Sequence, residues 1–399
     1  MKRLISLKRG AYPRSGAVVA FVFTSGTTTA VGCAVATLPS TRLRPRQRPE
    51  SPLLSVVLST YNRGDLLTDA LQSVLAQKDS LTPPFELIVV DNNCTDRTRH
   101  IVGQVARDDG RVHYVFEPKQ GLSYARNAGL LEARAPLVAF TDDDVRVAPD
   151  WVLAIVRAFE EHPGVDMVGG RVLPLWPKEP PGWLTRDHWA PLALADHGDV
   201  ALTVRAEHPI CLVGANLACR RTVFDNVGGF ATDLQRVKNG IGSLEDHEFL
   251  LRVLRTGRKG LYDPRIVVHA EIQPNRLERV YHRRWHRGHG HFHALMRSEH
   301  MEQTKIGTLF GVPAHLYWQA LGHLGAWLRA RGTGDSARAF DHEVRLRFFA
   351  GFFRTRRQEF SLKSRHEKWD ELGQLLRLAV PRREPSAPTA NSNAARTQG

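Results

Sequence analysis

The chain of 399 residues is short of three things: cysteine, carboxylates to balance its cations, and clean apolar runs. Its four cysteines, Cys33, Cys94, Cys211 and Cys219, form no C-x-x-C pair. That excludes a disulfide framework and a zinc ribbon, and makes a reducing compartment the simpler assumption. Asp and Glu number 41 against 55 Lys and Arg, for a formal net charge of +14. Such an excess implies an anionic partner: a phosphorylated substrate, an anionic membrane surface or nucleic acid. Uncharged stretches occur at 15–41 and 306–328. The first is diluted by Ser25, Gly26 and Thr27, follows Lys8, Arg9 and Arg14, and contains Ala34-Val35-Ala36, which resembles a signal-peptidase site. Residues 1–50 therefore read as a leader, either disordered or a weak signal or anchor. Arginines at both ends give it no orientation. The second stretch is broken by Pro313 and polar residues, and a bilayer-spanning helix is not expected there.

What is present is a composition of 42% hydrophobic and 24% charged residues. The chain can bury a substantial core in one large domain or two lobes. Its organising stretch is Pro136-Leu137-Val138-Ala139-Phe140-Thr141-Asp142-Asp143-Asp144-Val145, an apolar run ending in three carboxylates. The run reads as a buried strand. Alternation along an extended chain would point Asp142 and Asp144 one way and Asp143 the other. Two like charges about 6 Å apart repel by about 3 kcal/mol at an effective dielectric near 20, so a cation is expected to offset them. Hard oxygen ligands at a strand end suit Mg²⁺ or Mn²⁺, held partly by protein and partly by substrate phosphates. The alternative is a solvated acidic turn followed by a helix cap.

Apolar runs at 54–58, 85–90, 112–116 and 136–141 alternate with segments of helical period, such as Leu67, Ala70, Leu71, Val74 and Leu75. This predicts an α/β fold whose parallel sheet is covered on both faces. Such sheets bind ligands beyond the carboxyl ends of their strands, where the polar clusters 59–63, 91–96 and 142–144 all fall. Further on, the pattern predicts a helix at 150–161, a strand at 165–172 kinked at Gly169-Gly170, a strand at 210–220 containing Asn216, and a last strand at 266–269. A helix enters through Ser243-Leu244-Glu245-Asp246. Ser243 as N-cap with Asp246 at N3 would be a capping-box variant, so a structural role for Asp246 stands beside a chemical one.

Residues 174–209 hold Trp176, Trp183 and Trp189 without periodicity. A long loop of this kind is a lid or sugar platform, or a surface excursion packed by its own aromatics. Residues 276–293 include Arg276, Arg283, Arg284, Trp285, His282 and His286. They read as arginine contacts for a diphosphate or as a solvated basic face. No cysteine or carboxylate joins the histidines at zinc-ligand spacing. Farther on, Phe348, Phe349, Phe352 and Phe353 share one helical face among Arg345, Arg347, Arg354, Arg356 and Arg357. That pattern suits an interfacial helix on an anionic leaflet, or phenylalanines packed inward under solvated arginines. Residues 382–399 read as a disordered tail.

Four motifs together resemble a known family. Leu54-Ser55-Val56-Val57-Leu58-Ser59-Thr60-Tyr61-Asn62-Arg63, Val89-Val90-Asp91-Asn92-Asn93-Cys94-Thr95-Asp96-Arg97-Thr98, Gly121-Leu122-Ser123-Tyr124-Ala125-Arg126-Asn127-Ala128-Gly129 and the aspartate triplet are similar, in order, to family 2 inverting glycosyltransferases of GT-A fold. The resemblance covers about residues 53–290. It implies a catalytic domain at 51–275, with a nucleotide-binding half at 51–150 and an acceptor half at 151–275. A helical, membrane-associated region at 276–381 would follow. Tyr61 and Asp91 would hold the nucleotide base, with Thr60, Asn62, Arg126 and Asp142 completing the donor site. The D-x-D pair Asp142 and Asp144 would hold the divalent cation. Asp246, or failing it Glu245, would be the catalytic base. Asn216, Arg284 and Trp285 are the acceptor or diphosphate candidates.

Processive members carry Q-x-x-R-W; here Arg284-Trp285 is present, but Tyr281 stands at the glutamine position. Transfer of a single sugar to a glycan or lipid-linked acceptor is therefore expected, rather than polymer synthesis with export. The donor is made in the cytosol, which favours a disordered leader, or a start codon placed too early, over a signal. Attachment would be peripheral, on the cytoplasmic face of the membrane. One rival is a sugar nucleotidyltransferase, which would want a Gly-rich phosphate loop with a lysine where Ser59-Thr60-Tyr61-Asn62-Arg63 stands. The other is a noncatalytic basic protein on nucleic acid, yet no helix-turn-helix or aromatic-basic RNA signature accompanies the charge, and no nucleic-acid partner is expected.

Overall fold

The apolar runs of the first hundred described residues pair with one another as parallel strands. The structure, a computed structural model, describes residues 51–77, 81–234, 244–297, 301–302 and 307–379. The leader, Ser243 and the 382–399 tail lie outside them. Strands β1 (Leu54–Thr60), β2 (Phe85–Asp91), β3 (Val112–Phe116) and β4 (Leu137–Asp142) are followed by β5 (Val145–Val147), β6 (Met167–Leu175), β7 (Leu202–Val204), β8 (Leu217–Arg220) and β9 (Gly260–Glu271). The sheet order is β3-β2-β1-β4-β8-β6-β9-β5, with β7 also on β9. Pairs β3-β2, β2-β1, β1-β4 and β6-β9 are parallel; those of β8, β5 and β7 are antiparallel. The first half is thus the expected α/β wind, and the second a mixed sheet.

Alternation within each strand sorts the core into two layers. Leu54, Val56 and Leu58 of β1 face one layer, and Val57 faces the other. The first layer packs α1 (Gly64–Leu75), α2 (Thr98–Asp108) and α4 (Trp151–Glu161) on the sheet. The second packs α3 (Leu122–Glu132), α5 (Arg221–Val227) and α6 (Glu245–Leu254). Asp96 ties two helix starts together: its carboxylate accepts from the Gly64 amide at 2.9 Å and from the Thr98 amide at 3.0 Å. Both helices therefore begin at a fixed place beside the ends of β1 and β2.

Beyond the sheet lie α7 (Arg279–Met296), a hairpin of β10 (Thr308–Leu309) and β11 (Val312–Pro313), α8 (Ala314–Gly332), α9 (Ser336–Leu362) and α10 (Arg365–Ala379). The axes of α7 and α9 approach closely at two glycines. A Cβ on Gly290 would stand 2.0 Å from the Phe348 carbonyl oxygen, and one on Gly351 1.9 Å from that of Arg287.

The expectation of an interfacial helix at 345–357 is corrected here. Phe352 is 0% exposed and Phe349 7%, in a cluster with Ala294, Val312 and Leu316, and Phe348 and Phe353 pack against it. Arg356 is buried as well, donating to the Gly311 carbonyl at 2.9 Å and pairing with Glu359 at 3.1 Å. Their shared helical face points at α7 and α8, because those helices offer apolar partners that the local pattern cannot reveal. Two smaller differences follow from side-chain chemistry. Residues 210–216 are not strand, since Gly214–Asn216 form a 3-10 turn ahead of β8. β9 runs well past 266–269 at both ends, its polar interruption being neutralised within the strand by the Arg265–Asp263 pair at 2.7 Å.

Candidate active site

The carboxyl ends of β1 and β4, the start of α3, the start of α6, the loop at 186–197 and one side of α7 enclose a cavity of about 1020 Å³. Thr60, Tyr61, Arg63, Arg126, the aspartate triplet, Glu245, Asp246, Arg276 and Trp285 all line it. The irregular 174–209 segment both packs on the core and borders the cavity. Leu192 and Leu194 are buried and Trp183 and Trp189 pack on the core, while Arg186 to His197 form one wall of the cavity.

The triplet is arranged differently from simple alternation. β4 ends at Asp142, so residues 143 and 144 lie in a turn and the period of two no longer applies. All three carboxylates line the cavity. Asp143 accepts from the Thr60 hydroxyl at 2.8 Å and from Arg63 Nη1 at 3.0 Å. The same Arg63 nitrogen donates to Asp144 at 2.7 Å, and Arg276 reaches Asp144 at 3.5 Å. Asp142 faces Arg126 at 3.4 Å. Burial, together with the charges of Asp144 and Asp142, pushes the Asp143 carboxyl up to about 7 against the pull of Arg63. Burial also raises Asp142, with Asp144 adding and Arg126 opposing. The repulsion expected from the sequence is real, and here guanidinium groups offset it.

Arg126 links the two acidic centres. It is buried, its Nη2 meets Asp142 and its Nη1 meets Glu245 at 3.4 Å, and its guanidinium lies 5.4 Å from the Phe230 ring centroid. Gly214 makes room, since a Cβ there would stand 2.6 Å from Arg126 Nη2. Glu245 is therefore a buried partner of Arg126. Asp246 is only half-buried and lies on the cavity wall, accepting from the Gly214 amide at 3.1 Å and the His247 amide at 2.8 Å. Helix α6 has Leu244 as N-cap with no side-chain cap bond.

Other sequence candidates fall outside the cavity. Asp91 is buried, with its carboxylate taken by the Tyr114 hydroxyl at 2.8 Å and the Cys94 amide at 2.8 Å. Asn62 sits at φ 51° and accepts from the Thr95 amide at 2.7 Å, bracing the two loops against each other. Asn216 is buried and fully engaged: it accepts from the Trp151 indole at 2.8 Å and donates to the Arg171 and Ile266 carbonyls. It cross-links α4, β6 and β9 behind the site, where no acceptor can touch it. Arg284 is exposed and does not line the cavity, whereas its neighbour Trp285 does, stacked on His289 at 4.3 Å. Arg63 and His289 were missed as site residues. Arg63 was the only cation in the polar turn after β1, and that was the available signal.

The fold and site define a sheet protein that presents carboxylates and arginines around a cavity at its strand ends. The family described as glycosyl transferase family 2 matches residues 55–228. Glucosyl-dolichyl phosphate glucuronosyltransferase of Haloferax volcanii is 30% identical over 233 residues, which is 56% of this chain and 71% of that one. Validoxylamine A glucosyltransferase of Streptomyces hygroscopicus subsp. limoneus is 41% identical over 109 residues, 27% of this chain and 24% of its own length. A solved mannosyltransferase from Pyrobaculum calidifontis, in complex with GDP-Man and Mn²⁺, aligns over 82% of this chain and 86% of that one at 20% identity and a TM-score of 0.47. The chain belongs to glycosyl transferase family 2, with a GT-A fold, and transfers sugar from a nucleotide-sugar donor. Both rival readings, a nucleotidyltransferase and a nucleic-acid binder, fall with that membership.

Proposed function

We propose that the protein moves one sugar from a nucleotide-diphosphate sugar to a hydroxyl of a glycan or lipid-linked acceptor, with inversion at the anomeric carbon. The carrying observation is that one cavity joins the Asp142–Asp144 turn to the accessible carboxylate of Asp246. Asp142 and Asp144 offer only hard oxygen donors, which fits Mg²⁺ or Mn²⁺; such ions take one or two carboxylates and fill their remaining positions from phosphate and water. When bound, the cation supplies charge neutralisation for the leaving nucleoside diphosphate. Arg63, Arg276 and Arg126 add positive charge on the same side of the cavity.

Asp246 accepts the proton of the acceptor hydroxyl as that oxygen attacks the anomeric carbon, and the Gly214 amide keeps the carboxylate oriented. Glu245 orients Arg126 and leaves the base role to Asp246. A single displacement of this kind inverts the carbon. Thr60 and Tyr61 border the donor end, while Trp285 and the 186–197 wall border the acceptor. A lipid-linked acceptor accords with the name of the Haloferax relative, and an enzyme using one would work peripherally at the cytoplasmic face of a membrane. No helix among the described residues is long and apolar enough to cross one.

The test is a thermal-shift panel of UDP-, GDP- and dTDP-sugars with Mn²⁺. A donor at about 100 times its dissociation constant stabilises the fold by about 2.7 kcal/mol. No shift with any donor, with or without the cation, would contradict the reading.

A further inference from the structure

The C-terminal helices leave an apolar face that the core does not use. Helix α8 packs on α9 and the β10–β11 hairpin through Leu316, Tyr317 and Ala320. Beside that contact it shows Trp318, 76% exposed, with Leu321 at 56%, Leu324 at 39% and Leu328 at 57%. At about 3.6 residues per turn these four fall within an arc of about 120°. Gly322 and Gly325 lie beside them, and a Cβ on either would meet nothing within 4 Å. The helix holds no Asp or Glu, and Arg329 and Arg331 close its C-terminal end, both exposed.

A second feature adjoins this face. A shallow groove of about 570 Å³ runs along α9, lined by Ala350, Phe353, Arg354, Arg357, Gln358 and Ser361. It meets α8 at Tyr317, whose ring packs on Phe353 at 4.8 Å and lies 5.8 Å from the Arg357 guanidinium. The groove has an apolar floor, two exposed arginines and no carboxylate among its lining residues. A stripe of Trp and Leu ending in arginines, beside a groove of this make-up, matches the two chemistries of an anionic lipid surface. The acyl boundary takes the apolar stripe, and the phosphates take the guanidinium groups. A second copy fits worse. A two-fold contact would bring Arg329, Arg331, Arg354 and Arg357 of each copy toward the same patch on the other, and like charges brought together oppose association.

We propose that α8 and the adjoining α9 groove are the surface on which the protein seats on an anionic membrane. Trp318, Leu321, Leu324 and Leu328 enter the acyl boundary, and Arg354 and Arg357 contact lipid phosphate. The proposal deepens the reading of a membrane-presented acceptor and rests on it for its purpose.

The experiment is flotation of the full chain with phosphatidylcholine vesicles, with and without phosphatidylglycerol, at low and high salt. The wild type should float with the anionic vesicles and release in salt. Leu321→Asp/Leu328→Asp and Arg354→Glu/Arg357→Glu should each lower partitioning about tenfold or more. Both variants should keep the wild-type thermal shift with nucleotide sugar and Mn²⁺, which shows that they fold. Variants that float like the wild type would overturn the proposal, as would a wild type indifferent to phosphatidylglycerol. A wild-type dimer that Leu321→Asp/Leu328→Asp turns into monomers would overturn it too, by assigning the face to self-association. Failure of the glycosyl-transfer reading would look different: no donor shift in any protein, with flotation intact.

Discussion

Replacing Arg63 by methionine tests whether guanidinium groups hold the place of the cation in this site. Arg63 Nη1 bridges Asp143 at 3.0 Å and Asp144 at 2.7 Å, and the side chain is 30% exposed while the two carboxylates are nearly buried. Breaking a fully buried pair costs about 3–5 kcal/mol, because a charge is left without compensation. Here solvent reaches the guanidinium, and Arg276 still stands 3.5 Å from Asp144. The discounted cost is about 2 kcal/mol. The same loss clears two oxygen-donor side chains of a competitor. Mn²⁺ should then bind the nucleotide-free variant more tightly than the parent, and return up to about 2.7 kcal/mol at about 100 times its dissociation constant. The assay is thermal unfolding of Arg63→Met and parent in EDTA and across a Mn²⁺ titration. The variant should melt lower in EDTA and gain more from Mn²⁺. Equal melting in EDTA, or equal gains from the metal, would mean that Arg63 does not occupy the cation's place.

Asp144→Asn should abolish cation-dependent donor binding while leaving the fold intact; calorimetry with donor and Mn²⁺ reads this, and unchanged turnover with and without EDTA would oppose it. His282 is buried against Trp183 and Phe340, and burial, aided by His188, pushes its imidazole down to about 4 from 6.5. The unfolded chain therefore takes the proton first as pH falls, so stability present above about pH 6.5 is lost on the way down to about pH 4, by up to about 3 kcal/mol. His282→Gln should show a flatter dependence of melting temperature over that window, and an unchanged slope would count against it. Gly290→Ala should destabilise by about 1–3 kcal/mol, since its Cβ has no room against the Phe348 carbonyl. Gly325→Ala on the open face of α8 should be neutral or stabilising by about 1 kcal/mol, and denaturant midpoints compare the two.

The first half of the fold could be read directly from the chain. β1 to β4 are mostly apolar runs, broken only by Ser55, Glu86 and His113 before their polar carboxyl ends, and burial on both faces of a parallel sheet writes that signal plainly. The convergence of polar clusters at their carboxyl ends followed from the same rule, and the structure does bring Thr60, Tyr61 and the triplet to one cavity. What escaped depends on contacts remote in sequence. The orientation of Asp143 was missed because the strand stops at Asp142, two residues before the Asp144 to which alternation was applied. Asn216 looked like an acceptor ligand until Trp151, Arg171 and Ile266 claimed its amide from three other elements. Asp91 was likewise claimed by Tyr114. In the helical region, periodicity identified an apolar face on α9 correctly but could not say which neighbour covers it. Phe352 lies inside, and the uncovered stripe belongs to α8, whose apolar residues on both sides blur any amphipathic pattern.

The proposed role of Asp246 is that of the base in a single displacement fed by the cavity it lines. It is tested most directly by comparing Asp246→Asn with the parent for nucleoside diphosphate release in the presence of donor, Mn²⁺ and acceptor, with donor affinity measured in parallel. Donor affinity should stay within error of the parent and transfer should fall about 10² to 10⁴-fold, the usual contribution of a general base. Turnover that persists in Asp246→Asn, while stability drops by about 1 kcal/mol, would contradict that role and leave this carboxylate as a brace at the start of α6.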